Sequence, residues 1–522
     1  MVDPAQPVTQ DGAPQETVAG GQFASSSPLL KVKTGIEGFD EIAHGGIPQG
    51  RSTLISGTSG SGKTIFSMQF LFAGIALYGE NGVFVTFEEI PDDIVKNMLG
   101  FGWDLRKYIE GGKFAFVDAS PSEDEAVEVG EFDLGAFLAR LLHAVEKVGA
   151  KRMAIDSISA LFPRYTDQAK IRRELYRIAA KLKKTGITTL ITAEKIGEAE
   201  GRAGRFGVEE FVSDNVILLH NYLDEEHGDR RRSVEILKFR GASHETQDTP
   251  LLVRSDGINV FPRPKPSYAG QKSSVVKITT GIEQLDRMFD GGVYEDSVTL
   301  VSGPSGVGKT VMAMQFVVEG ARRDQKGLFF SFEESQEQLF RNAESFGWGL
   351  RDLVKEEKIK LICSVPEELN PEEHYKRIRD IIEGVQVKRF VIDSLSALER
   401  IYVPNKFREF AIGLNVYLKN KGVTSLITDT ISTLLDVSKM TESNLSTMAD
   451  NVILIKYVEV EGHIKRALAV FKARASRHDK QLHELVIDDN GVSLGKGFLG
   501  LENLMGGSAK KIEGFQESKA KT

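Results

Sequence analysis

Gly57-Thr58-Ser59-Gly60-Ser61-Gly62-Lys63-Thr64 decides how this chain is read, because the pattern returns as Gly303-Pro304-Ser305-Gly306-Val307-Gly308-Lys309-Thr310. Both octads fit G-x-x-x-x-G-K-[ST], the phosphate-loop pattern. Each follows a short apolar run, Ser52-Thr53-Leu54-Ile55 or Val298-Thr299-Leu300-Val301, and each opens a helix-like segment. In that setting the glycines allow a tight backbone path, and the N–H groups at the helix start face phosphate oxygens. Lys63 and Lys309 are then expected to reach the β- and γ-phosphates, with Thr64 and Thr310 on Mg²⁺. Two such loops in matching contexts predict a protein that binds ATP twice.

Other segments repeat in the same order. Thr34-Gly35-Ile36-Glu37 returns as Thr280-Gly281-Ile282-Glu283, and Val83-Phe84-Val85-Thr86-Phe87-Glu88-Glu89 as Leu328-Phe329-Phe330-Ser331-Phe332-Glu333-Glu334. Phe101-Gly102-Trp103 pairs with Phe346-Gly347-Trp348, Ile155-Asp156-Ser157 with Ile392-Asp393-Ser394, Leu190-Ile191-Thr192 with Leu426-Ile427-Thr428, and Asp214-Asn215-Val216 with Asp450-Asn451-Val452. A period of about 240 residues is a duplicated domain and not a solenoid unit. Apolar runs alternating with helical stretches predict, in each copy, a mainly parallel sheet flanked by helices. The expected layout is a tail over 1–30, a first domain over 31–262, a linker over 263–274 around Pro262-Arg263-Pro264-Lys265-Pro266, a second domain over 275–497, and a tail over 498–522.

The 522 residues are 41% hydrophobic and 27% charged, with a net charge of −8. That acidic balance speaks against a general nucleic-acid surface. The single cysteine, Cys363, lies in an apolar run, reads as a buried inert thiol, and rules out a disulfide framework within one chain. No apolar stretch reaches membrane-spanning length and no secretory signal opens the chain, so a cytoplasmic location is expected.

Three further sets carry chemistry. Asp156 and Asp393 end apolar runs downstream of the phosphate loops, where a carboxylate completes the Mg²⁺ shell. Glu88-Glu89 and Glu333-Glu334 sit at the ends of strands at nearly equal distances beyond the two loops, placed to orient a water or hydroxyl toward the γ-phosphate. Adjacency of the two carboxylates is expected to raise one pKa. Lys238-Phe239-Arg240 and Lys472-Ala473-Arg474 have two readings. They are charged edge strands that block aggregation, or they are cations handed to a neighbouring subunit's nucleotide.

These motifs together resemble the KaiC family of clock ATPases, and the resemblance runs from Thr34 to about Gly497. Gly207-Val208-Glu209-Glu210-Phe211-Val212-Ser213-Asp214-Asn215 and Lys238-Phe239-Arg240-Gly241-Ala242-Ser243-His244 add to it. The resemblance implies two RecA-like domains per chain and a double-ring homohexamer with ATP between subunits. It also implies a first ring that hydrolyses ATP slowly, and a second that phosphorylates and dephosphorylates itself. Aligned on the shared Asp-Asn-Val-Ile-Leu, Ser446 and Thr447 stand where the first copy has Glu210 and Phe211, so only the second copy offers acceptor hydroxyls there. Ser446 and Thr447 match the family's phosphorylation sites, with Thr441 as an accessory site. The second copy lacks a glycine after Arg474, which weakens its match relative to Arg240. The region after Gly497 departs from the pattern that receives the activator KaiA, so KaiA dependence is not expected. Asp118-Ala119-Ser120-Pro121 and the acidic Glu123 to Glu131 resemble the surface used for KaiB. Rival readings are a RecA- or helicase-like DNA-dependent ATPase, and a nucleotide-dependent scaffold without kinase activity.

Overall fold

The computed structural model describes residues 29–120, 134–160, 168–195, 213–223, 230–263, 273–431, 445–498, 501–502 and 510–511. The chain divides into two compact units between Val260 and Phe261. Each is built on one nine-stranded sheet.

In the first unit the strands are β1 (Ser52–Gly57), β2 (Gly82–Thr86), β3 (Phe114–Asp118), β4 (Arg152–Asp156), β5 (Thr188–Glu194), β6 (Asn215–Leu223), β7 (Arg230–Phe239), β8 (Thr249–Arg254) and β9 (Gly257–Val260). Their spatial order is β9-β8-β7-β6-β1-β5-β4-β2-β3. The run from β6 to β3 is parallel, and β7, β8 and β9 continue it as antiparallel hairpins. The second unit repeats this with β10 (Val298–Gly303), β11 (Gly327–Ser331), β12 (Ile359–Cys363), β13 (Arg389–Asp393), β14 (Thr424–Thr430), β15 (Asn451–Val460), β16 (His463–Ala473), β17 (His483–Asp488) and β18 (Gly491–Gly497). Its order is β12-β11-β13-β14-β10-β15-β16-β17-β18. In both units β1 or β10, which feeds the phosphate loop, is central.

The alternation of side chains along the strands makes two cores per sheet. In the first unit Ile55, Phe84, Ala154, Leu190 and Ile217 pack under helix α1 (Lys63–Tyr78) through Phe66, Phe70 and Leu71. Their neighbours Leu54, Val83, Val85, Met153 and Ile191 face helices α2 (Leu134–Val148) and α3 (Gln168–Thr185) through Phe137, Leu141, Ile178 and Leu182. The second unit places α4 (Lys309–Arg322) on one face, and α5 (Pro371–Val385) and α6 (Pro404–Asn420) on the other. Where Phe137 packs 5.4 Å from Phe87 in the first unit, His374 packs 5.0 Å from Phe332 in the second. Burial lowers the His374 pKa to about 4, so the ring is neutral and serves as core.

One buried cation ties each phosphate-loop helix to the strand that ends in Asp156 or Asp393. Arg152, at the start of β4, is 1% exposed; it donates to Glu80 at 2.6 Å and to the Phe70 carbonyl of α1 at 2.8 Å. Arg389, at the start of β13, donates to Gln325 at 2.7 Å and to the Phe316 carbonyl of α4 at 2.9 Å, and lies 4.7 Å above the Phe316 ring. Its Nη2 has no partner, and burial lowers its pKa to about 10.

Three sequence expectations change. The strand carrying Lys238 lies between β6 and β8, and that carrying Lys472 between β15 and β17, so neither is an edge strand. Leu501–Glu502 pairs antiparallel with Lys510–Lys511, so the segment after Gly497 contains a short ladder. Cys363 is free but only half-buried; burial, with Glu334 nearby, raises its pKa. The proposed N-terminal tail up to residue 28 and linker residues 264–272 lie outside the described residues. Among the described residues no helix is long and apolar enough to cross a membrane.

A Cβ at Gly320 would lie 2.3 Å from Cδ of the fully buried Arg389. Gly320→Ala is expected to cost the second unit about 1–3 kcal/mol, read as a lower urea midpoint at an unchanged m-value.

Candidate functional site

Each phosphate loop leaves the end of a central strand and turns directly into a helix. Gly62 and Gly308 occupy the position before that helix with φ of 101° and 106°, a conformation open to glycine and strained for other residues. Gly57 lies so close to β6 that a Cβ would sit 2.4 Å from the Leu219 carbonyl oxygen. Lys63 Nζ bridges the Gly57 and Thr58 carbonyls, both at 2.9 Å; Lys309 Nζ bridges those of Gly303 and Pro304 at 2.8 and 2.9 Å. Burial lowers both lysine pKa values, opposed by Asp156, Glu194 and Glu88 at Lys63, and by Asp393, Glu333 and Asp429 at Lys309.

Ser59, Gly60, Gly62, Lys63 and Thr64 line a cleft of about 490 Å³ together with Glu88, Glu89, Asp156, Glu194 and Arg232. Gly60 is held by Arg232 Nε, which donates to its carbonyl at 2.9 Å. Ser61 is buried at the back of the loop, as Val307 is in the second unit. Ser305, Gly306 and Thr310 complete the second loop, and Gly306 approaches the Tyr457 hydroxyl.

Thr64 donates to Asp156 Oδ2 at 2.6 Å, while Thr192 from β5 donates to Oδ1. In the second unit Thr428 donates to Asp393 Oδ1. Asp393 Oδ2 is buried without a hydrogen-bond partner; the nearby Thr310 hydroxyl favours its charged form without closing a full hydrogen bond. Burial raises the Asp393 pKa, opposed by Thr428, Thr310 and Lys309. The peptides Asp156–Ser157 and Asp393–Ser394 are both cis.

The threonine and aspartate oxygens suit a hard divalent cation. The first cleft lines four carboxylates against an expected anionic substrate, an arrangement that calls for positive charge. Among the described residues no group of three or more His, Cys, Asp or Glu side chains could hold a metal. A Mg²⁺ bound here would therefore draw most of its ligands from phosphate and water.

The paired glutamates follow β2 and β11 in a turn closed by the strand's last hydroxyl. Thr86 Oγ1 donates to the Glu89 carbonyl at 2.7 Å, and Ser331 Oγ to that of Glu334 at 3.0 Å. Glu88 has a raised pKa, first from burial, then from Asp156 and Glu194, with Glu89 the smallest contributor. Glu89 is raised too, by burial, Asp156 and Asp93. Desolvation thus outweighs the mutual repulsion expected from adjacency. In the second unit burial, Asp393 and Glu333 raise Glu334, which accepts from Asn342 at 2.9 Å, whereas Glu333 accepts from Ser394 Oγ at 2.6 Å.

Lys238, Arg240, Lys472 and Arg474 point elsewhere than their own loops. Lys238 donates to the Ser213 carbonyl at 3.0 Å, and Arg240 to Asp214 at 3.4 Å. Lys472 donates to the Ser446 and Ala449 carbonyls at 2.9 and 2.7 Å, and Arg474 to that of Thr447 at 2.9 Å. Lys472 and Arg474 thus hold the one-turn helix α7 (Leu445–Met448), on which Ser446 is half-buried and Thr447 exposed. A β-bulge in each unit breaks the strand's alternation just before the pair. Leu237 and Phe471 are left 48% and 58% exposed there. Thr441, Glu210 and Phe211 lie outside the described residues, as does the KaiB-like segment from Pro121.

Sequence reasoning assigned no role to Thr192, Thr428, Glu194 or Arg232. The first two recur at matched places in both copies, which was their only signal.

Two copies of a phosphate loop, an aspartate clamp and a glutamate turn define a tandem RecA-like ATPase. The family model "ATPase: KaiC" matches residues 32–265 and again 278–497. The chain is 44% identical over 484 residues to the circadian clock oscillator protein KaiC of Synechococcus elongatus, covering 93% of this chain and 92% of that one. It is 45% identical over 482 residues to the circadian clock protein KaiC3 of a Synechocystis species, covering 92% and 94%. To the Prochlorococcus marinus KaiC it is 43% identical over 498 residues, covering 95% and 99%. The chain belongs to the KaiC family of ATPases.

The raised Glu88 pKa makes a stability statement. The folded chain binds this proton more tightly than the unfolded one, so the group's contribution is present at low pH and lost as pH rises through the raised value. Glu88→Gln is expected to raise the melting temperature of the ligand-free protein at pH 8 and to leave it little changed near pH 4.

Proposed function

We propose that this protein is a homohexameric clock or timing ATPase, in which the first domain, residues 31–262, hydrolyses ATP and the second, 275–497, transfers phosphate to Ser446 or Thr447. The observation that carries the second half is the placement of Ser446 and Thr447 on a turn whose carbonyls are held by Lys472 and Arg474. The family relationship supplies the ATPase.

In each domain the loop N–H groups and Lys63 or Lys309 would bind the β- and γ-phosphates. Mg²⁺, held by Thr64 and Asp156 or by Thr310 and Asp393, would neutralise charge developing on the transferred group. In the first domain Glu88 takes a proton from water as its oxygen attacks Pγ, Glu89 assists, and Arg240 reaches an adjacent subunit's nucleotide. In the second, Glu333 accepts the hydroxyl proton, with Glu334 beside it, and the Ser446 or Thr447 oxygen of a neighbouring subunit attacks Pγ in line as the bond from Pγ to the bridging oxygen breaks and ADP leaves. Lys238, Lys472 and Arg474 serve the subunit boundary. A phosphate there brings about −1.5 to −2 charges to cations that now hold neutral carbonyls, so it would reorganise the boundary and act as a switch. A KaiB-like partner fits the first domain; a KaiA-like activator does not fit the region after Gly497. The acidic balance disfavours a DNA-dependent ATPase.

Incubation with ATP followed by phosphosite mapping is expected to label Ser446 and Thr447, and Glu333→Gln should reduce labelling by about 10²-fold or more. Label confined to other residues would remove the autokinase half. Lys63→Ala and Lys309→Ala should each remove part of the turnover. Thr192→Val, which releases Asp156 Oδ1, should raise the Mg²⁺ concentration for half-maximal turnover about 10-fold or more.

A further inference from the structure

Glu194 has no part in the reaction as set out above, yet it stands in the first cleft. It ends β5 in register with Gly57 at the start of the phosphate loop. Its N–H donates to Ser159 Oγ at 2.9 Å, and the next N–H, of Lys195, donates to the Gly57 carbonyl at 3.1 Å. The backbone is therefore pinned on both sides. The side chain lines the same cleft as Lys63, Glu88 and Asp156.

The second unit reproduces this backbone and changes the side chain. Thr430 ends β14 in register with Gly303. Its N–H donates to Ser396 Oγ at 2.6 Å, and that of Ile431 to the Gly303 carbonyl at 3.3 Å. The carboxylate nearest in sequence is Asp429, one position earlier, which strand alternation turns to the other side. Asp429 is 8% exposed and accepts from Ser302 Oγ at 3.0 Å and Ser396 Oγ at 2.7 Å, so both its oxygens are engaged in structure.

The two nucleophiles differ in the same sense. Water carries two O–H bonds, and aiming its lone pair at phosphorus requires an acceptor for each. A serine or threonine hydroxyl carries one, and its carbon already fixes the other direction. We propose that Glu194 is a further catalytic residue of the first domain, the second acceptor for the attacking water, and that Thr430 in its place fits the second domain for a hydroxyl nucleophile. The inference rests on the division of labour proposed above. In the first domain the water oxygen bonds to Pγ as the bond from Pγ to the bridging oxygen breaks, and that electron pair stays on ADP. One water proton passes to Glu88. The other stays on the oxygen, hydrogen-bonded to Glu194, and leaves with phosphate.

The test uses the full-length chain. First-domain turnover is taken as the part lost in Lys63→Ala, and nucleotide affinity is read with a fluorescent ATP analogue. Glu194→Thr should lower first-domain kcat about 10–100-fold with KM within about threefold, and Glu194→Asp should retain more turnover than Glu194→Thr. In a Lys63→Ala background, Thr430→Glu should raise ADP formation several-fold and reduce phosphate on Ser446 and Thr447. The inference is overturned if Glu194→Thr weakens nucleotide binding at unchanged kcat, which would make Glu194 a partner of Lys63 alone, or if it changes neither. Should Glu194→Thr fail to fold, Thr430→Glu decides, and no gain in ADP formation overturns the inference. Absence of any Lys63-dependent turnover in the unmodified chain would instead defeat the reading of the first domain as an ATPase.

Discussion

The hydroxyl grip on Asp156, by Thr64 from the loop helix and Thr192 from the neighbouring strand, is the constraint on which the first site depends. It joins three separate elements at one carboxylate and fixes the helix start relative to the sheet. Arg152 makes the same connection at the other end of β4, through the Phe70 carbonyl. The strand is thus secured to the helix at both ends, by a charge-assisted contact in each case, and such contacts are roughly twice as strong as neutral ones. The phosphate loop, Asp156 and the glutamate pair then lie at the carboxyl ends of parallel strands, where open α/β sheets collect their ligands.

The second unit keeps this frame and varies what fills it. Arg389 is paired with Gln325 where Arg152 is paired with Glu80; His374 stands where the first unit has Phe137; Thr430 stands where the first unit has Glu194, and the neighbouring Asp429 is taken up by Ser302 and Ser396. Each exchange leaves the backbone register intact. The two units share one scaffold, and the differences between them lie in side chains set on an unchanged strand order.

Much of this was legible in the sequence. The phosphate loops, the aspartates and the glutamate pairs are local patterns, short enough for backbone chemistry to dictate, and the repeat confirmed each by presenting it twice. The parallel sheet followed from apolar runs spaced by helices. The antiparallel extension was less visible, although Asp256-Gly257 and Asn490-Gly491 are hairpin signals. What escaped was non-local. Thr192 and Glu194 acquire meaning only when β5 is laid beside β1 in register, and no spacing along the chain shows that pairing. The bulges at Leu237 and Phe471 escaped for a related reason: each is defined by a shift in register against the partner strand.

Those bulges bear on how the chain must be handled as a material. At each bulge an apolar side chain, Leu237 or Phe471, stands half-exposed beside the lysine and arginine that follow it. In a hexamer of the kind proposed, a subunit boundary that covered these side chains would couple folding to association. The melting temperature would then climb with protein concentration.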